Sequence, residues 1–512
     1  MEALFSAILG ELATRSLSFL IDRCSSSPPP PPSMEEKIQR LERMLLRLAV
    51  AVEDAEGRCI TSRAMLRQLN MLRRDMHRGY YLLDTFRLQQ ADEDDDKVSC
   101  DTLALSKFNP AKRVRVPVGS SRRIGCKGEI EQLLDEIEIT IADMVEFVLL
   151  VSNYPCIHRQ PYNTYIFMDK CMFGRQMEME QVINFLLHPE PSNLGVLPII
   201  GAAKVGKSTL VEHVCYDERV RKHFSRIIFL TDSDFREETS LLNLSDSGVI
   251  RHKHSSSSAS NVEERLLVVI ELIGDFANHE WGQMFSSSSQ SCSSSAGSKI
   301  IITSRSEKIA KYGTTQPLHL KFLSREAFWY FFKVLAFGSS DPKEHPNAES
   351  LSMVLFNGYF DSELCKSFVG PFIDLNNMAG LIQATICGGD WLLARERVRN
   401  HFMINKGLAD TGLESRCVFY LKSDGAAHYY CEFIEQCRVG QRVHEQEDDA
   451  SKLDMQDVLY ERSPSSLGRF NLVLWTSRLP PYHSYVYSCQ IHEYKSVLPT
   501  MVKSRQKRRI SV

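Results

Sequence analysis

A chain of 512 residues is too long for one ordinary domain and predicts about three or four units, each with its own core. Hydrophobic residues make up 43% and charged residues 24%, as in an ordinary globular protein. The formal net charge of −3 excludes a general attraction to nucleic acid or membranes, which would need a local basic patch.

The cysteines and the opening residues favour a reducing compartment. The 14 cysteines follow no paired framework, and no signal-peptide pattern opens the chain. No segment reaches the ~18 uninterrupted apolar residues of a membrane span. We therefore expect a soluble intracellular protein, cytoplasmic, with nuclear or peripheral membrane association as alternatives.

The first 150 residues predict amphipathic helices. Ser33 and Glu36 form a capping box directly after a proline run, which indicates a helix start. With the apolar opening segment 4–21, three apolar stripes of helical period predict a four-helix bundle. The stripes are Ile38, Leu41, Leu45, Leu48 and Val52; Leu69, Leu72, Met76, Tyr80 and Leu83; and Ile130, Leu133, Ile137, Ile141 and Val145.

A run of opposite charges follows the third predicted helix. It is acidic over 92–96 and then basic, and we interpret it as a solvated loop. The alternative is a contact with nucleic acid or acidic lipid, which is less favoured because no aromatic residues interleave the basic ones. The basic residues are Lys112, Arg113, Arg115, Arg122 and Arg123.

The most specific pattern is VLPIIGAAKVGKSTL, in which an apolar run enters G-x-x-x-x-G-K-S and leaves as a helix-compatible segment. Glycines let the backbone turn its amides onto phosphates, the lysine supplies a positive charge, and the serine hydroxyl can bind Mg²⁺. The pattern predicts a site for ADP or ATP, with Ser208 as the candidate ligand of an accompanying Mg²⁺. The residues assigned to the nucleotide are Gly201, Gly206, Lys207, Ser208 and Thr209.

Beyond this loop, apolar runs at 227–230, 266–270 and 299–303 alternate with polar stretches, which predicts a parallel sheet. Ligands of such sheets bind at the carboxyl ends of the strands. Glu271 and Arg305 would lie there, so we add Arg305 to the nucleotide site and Glu271 as a candidate catalytic acid.

The order and spacing of several segments make the chain resemble plant intracellular immune receptors, the disease-resistance proteins with an N-terminal coiled-coil domain and an NB-ARC nucleotide-binding module. The resemblance covers roughly residues 1–355. It implies a switch that rests with ADP and signals with ATP, in which Arg305 senses the terminal phosphate. The segments are MEALFSAILGELATRSLSFLIDR, LRRDMHRGYYLLDTF, FGRQMEMEQVINFLL, the phosphate loop, YDERVRKHFSRIIFL, LLVVIEL, GSKIIITSRSEKI and LHLKFLSREAFWYFF.

Several positions depart from that family. Ile270 stands where the first of two acidic residues is expected, so a metal-binding carboxylate is missing, and Glu271 should point to the other face of its strand. The acidic motif of the third bundle helix keeps only Asp84, because Tyr80 and Tyr81 replace charged residues. The family's GLPL segment is at best 357–360, and neither an MHD-like histidine motif nor leucine-rich repeats follow.

The last part of the chain predicts a small β-containing unit from alternating stretches at 417–421, 429–434, 470–475 and 485–491. Zinc binding is not expected, because the spacing of its cysteines and histidines fits no standard pair. The basic tail 503–509 is interpreted as a solubilising tail, with nuclear import or an acidic surface as alternatives. The residues weighed for zinc are His428, Cys431, Cys437 and His444.

The predicted fold class is multidomain α and α/β. A helical coiled-coil-type domain (1–150) and a linker (151–172) precede a P-loop NB-ARC-like domain (173–355) and a partly β region (356–512). We expect a regulatory nucleotide-binding protein of plant defence that acts through its helical domain on other proteins, with related receptors as candidate partners and self-association as an alternative. No specific nucleic acid is expected, and the chain is at most a slow ATPase. The alternative is an interaction scaffold or decoy with a non-functional pocket.

Overall fold

In the computed structural model of the protein, the amino-terminal three quarters of the chain contain helices and a mainly parallel sheet, and the last part contains a second sheet. The residues that the structure describes are 32–102, 120–155, 173–188, 194–231, 249–251, 265–272, 297–338, 340–361, 370–386, 418–424, 427–440, 452–454, 469–476 and 483–494.

The described residues of the amino-terminal part form three helices, α1 (Met34–Glu56), α2 (Arg63–Thr102) and α3 (Ser120–Val151), which share one apolar core. The predicted capping box is confirmed, since the Ser33 hydroxyl accepts from the Glu36 amide and the Glu36 carboxylate accepts from the Ser33 amide. The segment 4–21, proposed as the fourth helix, lies outside the described residues.

The first two predicted stripes face the core, with Tyr80 partly buried. The third stripe is wrong at its end, because Ile141 is only partly buried and Val145 is 62% exposed. The two four-residue steps from Ile137 to Ile141 and from Ile141 to Val145 together rotate the stripe by about 80° around the helix axis. The buried face of α3 therefore continues through Phe147 and Val151 instead.

The acidic run 92–96 is helical, because α2 extends to Thr102, so the loop predicted for this run is wrong there. No glycine or proline interrupts α2 after Gly79, and charge alone does not end a helix. Arg122 and Arg123 lie in the first turn of α3, whereas the other three basic residues of the run lie outside the described residues.

The part of the chain that contains the glycine-rich loop forms a six-stranded sheet of order β3-β2-β4-β5-β1-β6. Its strands are β1 (Gly195–Gly201), β2 (Arg226–Thr231), β3 (Val249–Arg251), β4 (Leu266–Glu271), β5 (Lys299–Ser304) and β6 (Leu318–Leu320). All neighbouring strands pair in parallel except β3, which is antiparallel to β2. The three apolar runs predicted as strands are confirmed as β2, β4 and β5.

Alternate residues of the strands belong to two separate cores. On one face, Leu197 and Val269 pack against α4 (Gln176–Leu187), α5 (Lys207–Tyr216) and α6 (Glu218–His223). On the other face, Ile200 and Ile270 pack with Ile309 of a 3₁₀ turn (Glu307–Tyr312). A fully buried parallel strand is apolar on both faces, which is why its sequence does not alternate.

A helical unit follows the sheet and consists of α7 (Arg325–Phe337), a 3₁₀ turn (Pro342–Glu344), α8 (Pro346–Asp361) and α9 (Pro371–Ile386). Its core is rich in aromatic side chains, including Phe328, Trp329, Phe332 and Phe356. The Tyr359 hydroxyl donates to the buried Asp374 carboxylate at 2.8 Å and ties α8 to α9. The domain boundary expected at residue 355 falls inside α8.

The bundle packs against this unit through α2 and α7. The buried Asp84 carboxylate accepts hydrogen bonds from Trp329 Nε1 and Lys333 Nζ, both at 2.8 Å. The His77 ring lies 4.7 Å from the Tyr330 ring, and burial, together with the nearby Arg73, holds the pKa of His77 well below its usual value.

The tyrosines that replace charged residues in α2 also belong to this contact. The Lys333 ammonium lies 5.5 Å from the centre of the Tyr80 ring, and the Arg325 guanidinium lies 5.8 Å from that of Tyr81. Aromatic faces attract such cations. The departure from the family motif therefore coincides with basic and aromatic partners on α7.

The last part of the chain forms a second sheet of order β7-β8-β11-β10-β9, antiparallel except for the β9–β10 pair. The expected β unit is thus confirmed, and α9 contacts β10. In the part of the chain that the structure describes, no cluster of metal-binding side chains occurs, and no helix is both long and apolar enough to cross a bilayer. The strands are β7 (Val418–Asp424), β8 (Ala427–Gly440), β9 (Lys452–Asp454), β10 (Arg469–Thr476) and β11 (His483–Tyr494).

Candidate phosphate-binding site

The glycine-rich loop joins the carboxyl end of β1 to the amino end of α5. Gly206 has φ 94°, a left-handed conformation that glycine adopts without steric cost, and it directly precedes the helix. A Cβ atom on Gly201 would lie 2.5 Å from the Leu320 carbonyl oxygen of β6. The two glycines therefore allow the tight turn and the close packing that aim the backbone amides of α5 at a bound anion.

Lys207 is the first residue of α5, and its side chain folds back over the loop. Its ammonium donates to the carbonyl oxygens of Gly201 and Ala202, each at 2.8 Å. Burial lowers the pKa of Lys207 to about 8, the nearby Glu271 opposes this shift, and Arg305 adds to it. An ammonium held by two carbonyl groups can exchange one of them for a phosphate oxygen.

Ser208 connects the loop to the end of β4. Its hydroxyl donates to the Glu271 carboxylate at 2.5 Å. Hydroxyl and carboxylate oxygens are the ligands that Mg²⁺ prefers. The two side chains that sequence reasoning assigned to the metal and to catalysis are therefore direct neighbours.

This contact corrects the expectation about β4. Ile270 and Glu271 do point to opposite faces, but Glu271 faces the loop and Ile270 is fully buried in the other core. The reason is the register of β4, in which Leu267 and Val269 share the face that α5 covers. An acidic residue at position 270 would therefore point away from the phosphate loop.

The remaining predicted site residues, Arg305 and Thr209, lie close to Lys207 and Ser208. Arg305 directly follows β5 and is exposed, and its effect on the pKa of Lys207 places its charge near the ammonium. Thr209 is half-buried in the first turn of α5. The carboxyl ends of β1, β4 and β5 thus bring together residues that are up to 104 positions apart, from Gly201 to Arg305.

The sequence analysis missed the contact between Lys204 of the loop and Gly370. Lys204 has φ 60°, and Gly370, with φ 89°, lies against its side chain. The segment 357–360, proposed as the GLPL counterpart, lies inside α8, whereas Gly370 and Pro371 begin the helix that reaches the loop. A glycine followed by proline at a helix start was the available signal.

A glycine-rich loop at the carboxyl edge of five parallel strands, with a strand-end carboxylate on its hydroxyl, defines a P-loop nucleotide-binding domain. Residues 175–341 match the NB-ARC domain family. The chain is also homologous to plant disease resistance proteins, so the resemblance inferred from its motifs is confirmed.

The relatives share low identity over long segments. Disease resistance protein RGA2 of Solanum bulbocastanum is 21% identical over 322 residues, which cover 60% of this chain and 31% of that protein. Disease resistance RPP13-like protein 4 of Arabidopsis thaliana is 24% identical over 279 residues, which cover 51% and 32%. The matched part of the chain thus spans about a third of the length of these relatives.

A solved structure described as "Structure of Drosophila ORC bound to DNA" aligns with 50% of this chain and 70% of its own, at 12% identity. Its TM-score of 0.25 is too low to indicate a shared overall architecture.

Proposed function

We propose that this protein binds ADP or ATP at the phosphate loop and acts as a regulatory nucleotide-binding protein in plant defence. The observation that carries the proposal is the grouping of Lys207, Ser208 and Glu271 at the ends of β1 and β4. The ammonium offers its charge to the outer phosphates, and the amides of the α5 amino terminus favour an anion. The NB-ARC match and the resistance-protein relatives support the same role.

Mg²⁺, if it accompanies the nucleotide, would be held by the Ser208 hydroxyl and the Glu271 carboxylate. Both groups are oxygen donors, and they lie 2.5 Å apart, so they fit the chemistry of this ion. The bound ion would neutralise charge on the outer phosphates. Ser208 would orient the phosphate end of the nucleotide, and Glu271 would keep the hydroxyl in place.

We further propose that ATP hydrolysis is very slow or absent. Of the residues that end β1, β4 and β5, which are Gly201, Glu271 and Ser304, only Glu271 is acidic. P-loop turnover needs both a held metal and a positioned water. Among the described strand ends, one carboxylate, which is hydrogen-bonded to the loop serine, would have to serve both needs, so a fixed-state binder fits the site better than a cycling switch.

The helical domain is the proposed partner-binding part. One face of α2 packs on α7, so a protein partner or a second copy would contact α1 or α3, where Leu46, Val50, Val145 and Leu149 are exposed. No specific nucleic acid is proposed. We place this activity in the cytoplasm, with nuclear or peripheral membrane association as alternatives.

Thermal unfolding of the purified chain with ADP or ATP, with and without Mg²⁺, tests the proposal. A ligand that binds only the folded state at 100 times its Kd stabilises by about 2.7 kcal/mol. Lys207→Ala should lose most of this stabilisation, whereas Lys222→Ala, an exposed lysine of α6, should keep it. Equal shifts in all three proteins, or no shift in the unmodified chain, would favour the scaffold or decoy with a non-functional pocket.

A further inference from the structure

Lys204 has an unusual backbone conformation. Among the described residues it is the only one other than glycine with a positive φ, at 60°, and it lies in the middle of the phosphate loop. Residues with a Cβ atom adopt this left-handed region at an energetic cost. Such a conformation persists only when the surrounding structure holds it in place.

The surrounding structure at this point is the start of α9. Gly370 also has a left-handed backbone, with φ 89°, and a Cβ atom placed on it would lie 2.8 Å from Cβ of Lys204 and 3.1 Å from its Cδ. The Gly370 carbonyl accepts from the amides of Ile373 and Asp374, so this residue is part of the helix start. The aliphatic stem of Lys204 therefore rests on the amino-terminal end of α9.

α9 is held firmly in the helical unit. It packs against α7 and α8, and Asp374 accepts the hydrogen bond of the buried Tyr359 hydroxyl. It also contacts β10 of the second sheet, while α7 holds the bundle through Asp84. A movement of the loop at Lys204 would thus act on a helix that contacts α7, α8 and β10.

We infer that Lys204 is a positioning residue that couples the conformation of the phosphate loop to α9, so that nucleotide affinity depends on its contact with Gly370. The inference rests on the proposed nucleotide binding. The stem of the side chain makes the coupling, because the short distances to Gly370 involve its Cβ and Cδ atoms. The charge of Lys204 is not required for it.

A double-mutant cycle tests the coupling. Gly370→Ala places a methyl group against Lys204, whereas Lys204→Gly removes the atoms it would meet. We expect Gly370→Ala to raise the Kd of a fluorescent ADP analogue about tenfold in the unmodified chain and much less in the Lys204→Gly background. Urea unfolding of the same four proteins is the second readout. Backbone strain at position 370 is common to both backgrounds and cancels in the cycle.

Two further variants separate the contact between Lys204 and Gly370 from backbone strain and from the charge of the lysine. Gly338→Ala is the matched control, because Gly338 has φ 59° and an added Cβ atom would meet nothing within 4 Å. It should leave the Kd unchanged. Lys204→Met keeps most of the stem without the charge, so Gly370→Ala should still raise the Kd in this background about as much as in the unmodified chain.

Equal effects of Gly370→Ala in the unmodified and Lys204→Gly backgrounds, or an effect of Gly370→Ala that disappears in the Lys204→Met background, would overturn the inference. If the unmodified chain does not bind the analogue, the proposed function fails. The unfolding free energies would then still show whether Lys204 and Gly370 are coupled.

Discussion

Asp84 and Glu271 are both acidic residues that accept hydrogen bonds from distant parts of the chain, but their surroundings differ. The Asp84 side chain is 2% exposed and lies between α2 and α7, with donors on Trp329 and Lys333. Glu271 is half-buried at the end of β4, where its donor is the hydroxyl of Ser208.

The difference separates a structural contact from a binding site. The donors of Asp84 belong to a packed helix and can leave only if the bundle moves away from α7. The Ser208 hydroxyl can rotate, and the Lys207 ammonium is held by loop carbonyls. The hydrogen bonds of Ser208 and Lys207 can be exchanged for bonds to ligand oxygens at low cost, whereas those of Asp84 cannot.

An acidic residue buried without hydrogen-bond donors should have the largest effect on stability. Ile270→Asp would place a carboxyl group in the apolar core on the face away from the loop. We expect a loss of more than about 4 kcal/mol in the free energy of unfolding, because an unpaired charge would be buried. Urea unfolding measures this loss.

The same variant tests the assignment of faces. Single-turnover ATP hydrolysis should not rise in Ile270→Asp, because its carboxyl group cannot reach Ser208. The control is Glu271→Gln, which should fold normally and lose the Mg²⁺ dependence of nucleotide binding. A gain of hydrolysis in Ile270→Asp would show that position 270 faces the phosphates.

Removal of Asp84 should have the next largest effect. Asp84→Ala leaves Lys333 and the buried Trp329 Nε1 without their carboxylate, and we expect a loss of about 3 kcal/mol. Trp329→Phe, which removes one donor, should cost less. Asp54→Ala should stay within about 1 kcal/mol, since the side chain of Asp54 is 47% exposed and its pair with Arg58 is screened. Equal losses for Asp84→Ala and Asp54→Ala would contradict a buried structural contact.

The smallest effect concerns the pH dependence of nucleotide binding. Burial lowers the pKa of Lys207 to about 8, so the free protein loses this charge above that pH. Binding must then restore the proton, and affinity should fall by up to about tenfold per pH unit above pH 8. Below pH 8 the lysine is already charged, and its contribution should be constant.

Calorimetric titration with ADP between pH 7 and 10 measures this slope. Lys207→Arg is the control, because its guanidinium stays charged throughout, so its affinity should lack the decline. The stability of the ligand-free protein should change in the opposite direction over the same window, because the unfolded chain still binds the lysine proton there. A decline of affinity shared by both proteins would assign the titration to another group.

Local sequence patterns predicted the elements that depend only on residues close together in the chain. The capping box at Ser33 and the stripe ending at Val52 involve only neighbouring turns, and the phosphate loop joins its strand and helix within 15 residues, so these were readable from the chain. The division into domains stays a prediction, and α8 crosses the boundary expected at residue 355.

What the sequence by itself determined is therefore the first two bundle stripes, three strands of the parallel sheet, the phosphate loop and the resemblance to disease resistance proteins. Tertiary structure alone decided that Glu271, and not residue 270, faces Ser208, because a strand buried on both faces carries no alternation that reveals its orientation. It also decided that Asp84 meets Trp329 and that Lys204 meets Gly370. Those partners are separated by more than 160 positions, and only the packing of whole helices brings them together.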